Sequence, residues 1–428
     1  MSPTREAAPA GSGRRHAAMP FILVTVLIDM IAIGIMVPVL PHLVGTFTHS
    51  NDEQALGLLF VTAAFGVASF FASPVLGALS DRFGRRPVLL LGFAGLALSF
   101  FGTALAPALW VLVAVRLFSG TMQSNISVAN AYIADISAPE ERARRFGLIG
   151  AMFGVGFIIG PVLGGVLGDV NLRLPFFTAG SLALVNGLYG WFVLPESLPS
   201  ERRRAFDWRR ANPVAALRGL IALKGVGSLV AVIACSSLAQ FMLHMTWVLY
   251  TKFKFGWGPG EVGWSLFAVG ITTAIGQGVL LKPLLKRFSP RQLAVTGLLI
   301  GALSHLLFGL ATKGWMMYAV VSLGLVGGAA QAALQSIVSN AADAHTQGQT
   351  MGSVTALNSL MAVLAPIVAL ELLRWVADRP AGDWLIGLPF FASAGLLCTA
   401  AMIAMRFFRR HAVPLPAAAG AATPAASP

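Results

Sequence analysis

The chain has 428 residues, of which 56% are hydrophobic and only 11% charged. A water-soluble domain carries about 25% charged residues, so this composition, with a mean hydropathy of +0.77, excludes a soluble globular protein of this size. The net charge of +13 comes from basic residues clustered between apolar runs rather than ranged along one face, so a lipid bilayer is the expected partner and nucleic acid is not.

A bilayer core about 30 Å thick takes about 20 mainly apolar residues per helix. Twelve such runs are predicted: 20–44, 56–79, 88–107, 108–134, 147–168, 174–194, 226–250, 261–284, 291–312, 314–338, 350–373 and 385–406. They are continuous rather than alternating, which excludes an outer-membrane barrel. Residues 1–19 form a tail with Arg5, Arg14 and Arg15. The first run continues past Val39 without a small-residue cleavage site, which reads as a retained span rather than a signal peptide. Cys235 and Cys398 both lie in apolar stretches and imply no disulfide framework.

Basic residues set the expected orientation. With the N-terminus in the cytoplasm, only Arg173, Lys252, Lys254, Lys313, Arg374 and Arg379 fall outside, and Arg116 is left within a span. Both termini are therefore expected to be cytoplasmic. The polar stretch 195–225 reads as a linker between a half at 20–194 and a half at 226–406, and the Ala/Pro-rich tail 407–428 reads as disordered. A shift of 205 residues superposes Arg82-Phe83 on Arg287-Phe288, Arg86 on Arg291, Gly92 on Gly297, Trp110 on Trp315, Gly147 on Gly352 and Pro161 on Pro366. One constant offset from the second span to the fifth predicts an all-α membrane protein of twelve helices in two six-helix pseudo-repeats. A substrate path between the repeats, worked by alternating access, is then expected.

Charges are rare in the spans, because one at the bilayer centre costs roughly 3 kcal/mol on insertion scales. Asp29 lies in span 1, Arg116 in span 4 and Glu371 near the outer end of span 11. A carboxylate such as Asp29 can take and release a proton as it moves between wet and dry surroundings, whereas a guanidinium keeps its charge and must be met by other groups. Glu371 reads as solvated. In the 77–87 segment, Gly77 permits close helix approach, Gly84 a tight turn with positive φ, and Asp81 can pair with an arginine or cap a helix. With Arg82, Arg85 and Arg86 it reads as a latch across the cytoplasmic gate. Span 5 carries Gly154, Gly156, Gly160, Pro161, Gly164 and Gly165, which expose backbone for close packing or bending. Polar and aromatic residues expected on the path are Gln123, Asn125, Gln240, His244, Trp247, Gln277, Gln331, Gln335 and Asn358, while His305 in span 9 reads as peripheral packing. No phosphate-cradling loop, catalytic constellation or metal-ligand cluster is visible, so the chain reads as a non-enzyme without cofactor, driven by an ion gradient.

These residues resemble the major facilitator superfamily: Gly77 to Pro87 its loop 2–3 signature, Arg116 to Gly120 (RLFSG) its span-4 motif, and Gly160-Pro161 with Gly164-Gly165 the antiporter motif of span 5. Segments 27–44, 73–90, 131–165 and 247–257, with the run from Ala333 to Leu360, resemble the tetracycline efflux proteins of Gram-negative bacteria. The resemblance implies a monomeric drug–proton antiporter of the bacterial inner membrane. In it Asp29 is the span-1 aspartate of transport, Asp81 the gate aspartate and Arg116 the span-4 arginine. Three departures accompany it: Ser99 where the family's acidic span-3 residue is expected, Thr273 for its span-8 histidine and Gly301 for its acidic span-9 residue. Coupling is therefore expected to rest on Asp29 and Arg116, with an amphipathic organic substrate bound between the halves. The rival readings are an exporter or importer of an endogenous metabolite, and a membrane receptor that kept the fold without turnover.

Overall fold

A computed structural model describes residues 12–122, 125–137, 139–203, 227–325, 337 and 347–410, and among these it contains helix and turn but no strand. Ten of the described helices are long and apolar enough to cross a membrane. The first half comprises α1 (Ser12–Met36), α2 (Leu40–Gly45), α3 (Asn51–Phe83), α4 (Arg85–Leu105), α5 (Leu109–Met122), α6 (Asn125–Ile136), α7 (Pro139–Val170) and α8 (Leu174–Val193). The second comprises α9 (Gly227–Phe255), α10 (Pro259–Ile275), a π-helical turn (Gly276–Leu280), α11 (Leu281–Arg287), α12 (Pro290–Leu310), α13 (Gly314–Val321), α14 (Gln347–Arg374) and α15 (Leu388–Arg410). The predicted fourth span is α5 and α6, on either side of 123–124. The tenth begins with α13, and its residues 326–336 lie outside the described part.

The first span is not one rod. Pro38 and Pro41 cannot continue an α-helical ladder, and the chain turns after Met36 before restarting as α2 at Leu40. Gly84 joins α3 to α4 at φ +103°, a conformation that favours glycine. The repeat offset reappears in element bounds, since α4 at 85–105 corresponds to α12 at 290–310, and Pro161 inside α7 to Pro366 inside α14.

Within the first half α1 packs on α7 and α8, α3 on α5, and α4 on α8. Within the second, α9 packs on α14 and α15, and α12 on α15. The halves meet along two helix pairs, α7 with α10 and α3 with α14, which the offset relates to each other. Large apolar side chains such as Leu98, Trp191 and Phe192 remain on the outer surface, where a bilayer would cover them.

The two ends of the bundle differ. At the end away from Ser12 and Arg410, called here the far face, polar contacts join the halves. Lys252 Nζ donates to Gln54 Oε1 at 2.6 Å, His42 Nε2 lies 3.1 Å from the Trp257 carbonyl, Asn51 donates to the Ala377 carbonyl at 3.1 Å, and Gly260 N–H donates to Asp169 at 2.9 Å. Arg374 bridges Asp52 across the halves at 2.8 Å and Glu371 on its own helix at 3.1 Å, so Glu371 is paired rather than free in solvent. Two more far-face cations cap helix C-termini, where the dipole favours them: Arg173 donates to the Ala104 and Ala106 carbonyls and Lys254 to that of Gly309. Gln54 is the buried node of the seam, 2% exposed and also donating to the Pro41 carbonyl at 2.6 Å. Replacing it by leucine removes both bonds and strands a cation, a loss that charged hydrogen bonds value at about 1.5–3 kcal/mol. Gln54→Leu is expected to raise the far-face reactivity of a cysteine at Thr62 with an impermeant maleimide about tenfold in a Cys235→Ala, Cys398→Ala background. Unchanged labelling would show that the node does not hold the seam.

Candidate functional site

A cavity of about 480 Å³ lies between the halves. The helices that line it are α1, α2, α3 and α5 on one side and α9 and α14 on the other, which places it where the path is expected. Its wall is mostly apolar, with Thr62, Ser69 and Ser73 of α3, His244 of α9 and Ser359 of α14 as polar points. Arg116 is the charged side chain on the described wall. It is 4% exposed, with its Nη2 on Met36 Sδ and its Nε without a partner. Among the described residues no carboxylate meets this buried cation, which is costly to leave without a counter-group.

Asp29 stands apart from this cavity. It lines a separate one of about 30 Å³ inside the first half, together with Thr25, Asn130 and Tyr132. It is 7% exposed and among the described residues its Oδ1 has no hydrogen-bond partner, while the Asn186 amide stands beside it. Its face of α1 turns toward α4, α6 and α7, whose side chains share that smaller cavity, rather than toward the space between the halves. Ser99, at the position of an expected acid, is 3% exposed; its hydroxyl donates to the Leu96 carbonyl and lies 3.3 Å from Ser119 Oγ.

The remaining candidates divide. Gln240, Trp247 and Gln277 line a further cavity of about 340 Å³ within the second half, and His244 lines both this and the central one. Gln277 sits in the π-helical turn, whose extra residue re-aims the side chains of its helix. Asn358 instead accepts from Ser237 at 2.6 Å and ties α14 to α9. Asn125 opens α6, and Gln123, Gln331 and Gln335 lie outside the described residues. His305, read as peripheral, is on the wall of the second-half cavity. Helical depth can be counted from sequence but the direction of the side chain cannot.

The 77–87 segment closes on itself within one half rather than across a gate. Arg85 pairs with Asp81 at 2.6 Å and Asp135 at 3.1 Å, and donates to Ser80. Arg86 donates to the Trp191 carbonyl at 2.6 Å, and Arg82 lies over the Phe83 ring. Glu196 accepts from the backbone N–H groups of Arg85 and Arg86 at 2.8 and 3.3 Å, capping α4 where its dipole favours an anion. Asp135 and Glu196 were not anticipated; the signal was an acid directly after a span, in each case at the end that bears Arg85. A Cβ at Gly84 would strike the Glu196 carboxylate, but one at Gly77 would meet nothing. Close approach at Gly77 is thus not present: it lies one turn beyond Ser73 and Pro74 on the face of α3 that looks into the central cavity.

Of the span-5 glycines, Gly156, Gly160, Gly164 and Gly165 are close-packed, whereas a Cβ at Gly154 would meet nothing. Along α7, Gly156 abuts Met30 and Gly160 abuts Gly34, with Gly164 against the Ile35 carbonyl. On the other side Gly165 abuts Pro259 and Gly260, and Gly263 of α10 abuts the Pro161 carbonyl. α7 is therefore wedged between its own half and the other one.

Comparison with known proteins fits this architecture. The model of the Major Facilitator Superfamily matches residues 22–366 and 229–427. The chain belongs to the major facilitator superfamily. Among curated relatives, the Escherichia coli protein "Tetracycline resistance protein, class C" is 38% identical over 91% of this chain and 97% of its own length. The class D protein of Salmonella ordonez is 34% identical over 88% and 95%. Among solved structures, an inward-facing, unoccupied bacterial homologue of the human lysosomal transporter Spinster superposes with a TM-score of 0.73 over 95% of this chain and 99% of its own, at 16% identity. The human organic anion transporter MFSD10 superposes with a TM-score of 0.66 over 93% and 100%, at 24% identity. The facilitator fold makes the chain a multi-pass membrane protein that carries a small molecule across the bilayer.

Proposed function

We propose that this facilitator exports an amphipathic drug of the tetracycline type from the bacterial cytoplasm in exchange for protons. Its near-full-length similarity to the tetracycline resistance proteins carries the reading. In it, the end of the bundle bearing both termini is cytoplasmic, and the seam at the far face is the closed periplasmic gate. Substrate enters the central cavity, where Arg116 and His244 supply polar contacts, while Asp29 takes and releases the proton behind it. The Arg85, Asp81 and Asp135 cluster is the cytoplasmic latch at rest within its own half, free to engage the other half when that face closes. No cofactor enters the reading; the proton gradient supplies the energy, and a single chain suffices.

The test is proton flux in inverted membrane vesicles that carry the protein. Tetracycline added to a pre-formed pH gradient is expected to dissipate it in vesicles with the protein and not in control vesicles. A response to other amphipathic drugs alone would remove tetracycline and keep the antiport. Silence across tetracyclines and cationic and neutral drugs would refute the export reading.

A further inference from the structure

The second-half cavity is walled by α9, α10, α12, α13 and α15 and meets the central cavity at His244. Several of its hydrogen-bond donors are spent on the protein itself, whereas the Gln240 and Gln277 amides and the Thr272 hydroxyl face the space as mixed donors and acceptors. The hydroxyls of Ser236, Thr273 and Ser304 donate to the carbonyls of Ile233, Val269 and Ile300, and the Trp247 indole donates to Ser265 Oγ at 3.0 Å. His244 Nδ1 lies 2.7 Å from the Gln240 carbonyl, which can only accept, so Nδ1 carries the hydrogen and Nε2 the lone pair. His305 repeats the arrangement. Its Nδ1 lies 2.8 Å from Ser393 Oγ, whose own hydrogen goes to the Phe390 carbonyl at 2.9 Å. Nδ1 of His305 therefore donates, and its Nε2 also keeps a lone pair. Among the described residues neither Nε2 has a bonding partner, and the wall holds no charged side chain.

The same wall carries Thr273 and Gly301. A bulky titratable side chain at either position would project into this space, so the small residues leave it open. Trp247 and Phe308, edge to face with ring centres 5.1 Å apart, give it an aromatic side.

We infer that this chamber is a substrate subsite for a donor-bearing aromatic group, an aryl amine or its protonated form, which His244 and His305 recognise through their Nε2 atoms. The inference deepens the export reading, on which its place in transport rests, by giving the chemical class of one end of the substrate. A site built to accept hydrogen bonds rejects an analogue without the donor, because its acceptors are then buried and unpaired.

The experiment is titration calorimetry on the purified full chain in detergent near neutral pH, with two planar cations of similar size. 9-Aminoacridine offers N–H donors and 10-methylacridinium offers none. The wild-type protein is expected to prefer 9-aminoacridine about tenfold, the difference two buried hydrogen bonds make. His305→Phe, which keeps the ring and removes one of the two acceptors, is expected to cut the preference to about threefold while leaving 10-methylacridinium binding unchanged. Should His305→Phe fail to fold, Thr273→Leu serves as the second variant. Its hydroxyl bonds only its own helix, and the larger side chain fills the chamber and erases the same preference. Equal affinity of the two probes for the wild-type protein, or a preference kept undiminished in the variants, would overturn the inference. Both probes are read by binding and not by flux, so silence across the whole drug panel in vesicles would sink the export reading and leave this comparison to stand or fall separately.

Discussion

Asp29→Asn is expected to reduce gradient-driven export to the background of control vesicles while the protein still folds and inserts. Asparagine copies the shape of aspartate and removes only the ability to titrate, so the variant isolates that property. The side chain is 7% exposed, has an oxygen without a partner and shares a small cavity with polar but uncharged neighbours. A buried polar group without its partners is a stability cost, and a group that exchange requires would be kept in spite of it. The purified variant is accordingly expected to melt at the same temperature as the wild-type protein or slightly above it. Gradient dissipation at the wild-type rate would end the assignment of Asp29 as proton carrier. A variant that failed to insert would instead make Asp29 a structural anchor.

The second large effect is steric. Gly164→Ala places a methyl group against the Ile35 carbonyl, where helix α1 offers backbone rather than a yielding side chain. Overpacking of a well-filled interior costs about 1–3 kcal/mol, and here the neighbour can move only by shifting α1 as a whole. The variant is expected to lower the melting temperature of the purified protein by several degrees and to impair transport. Gly154→Ala, nearly three turns earlier on the same helix, is the control, since a Cβ there meets nothing within 4 Å. It is expected to be neutral in both measurements. Equal behaviour of the two variants would show that α1 and α7 are not held by this contact.

The fold was legible because the bilayer imposes length and apolarity on each span, and because duplication left a constant offset. The Pro290–Leu310 helix could be placed from the Arg85–Leu105 helix. What remained hidden was azimuth. Asp29 and Arg116 stand out in sequence as buried charges, yet nothing in their spacing tells that they open into different cavities. His305 looked peripheral for the same reason. The hydroxyl-bearing face of α3, at Thr62, Ser69 and Ser73, was passed over because serine and threonine can satisfy themselves on their own helix and so give no signal in sequence. The π-helical turn at Gly276–Leu280 likewise depends on packing against neighbours more than on local residue preference.

The Asp29 cavity lies next to the glycine seam, for Met30, the following residue, is the one that Gly156 of α7 touches. A space of about 30 Å³ holds one or two water molecules, which is close to the smallest volume that hydrates a carboxylate at all. Any slide of α7 against α1 must change that volume by a large fraction. Under the proposed exchange the seam would work as a valve stem: the movement that switches which face of the bundle is open would also wet or dry the carboxylate, with no separate device needed to keep proton and cargo in step.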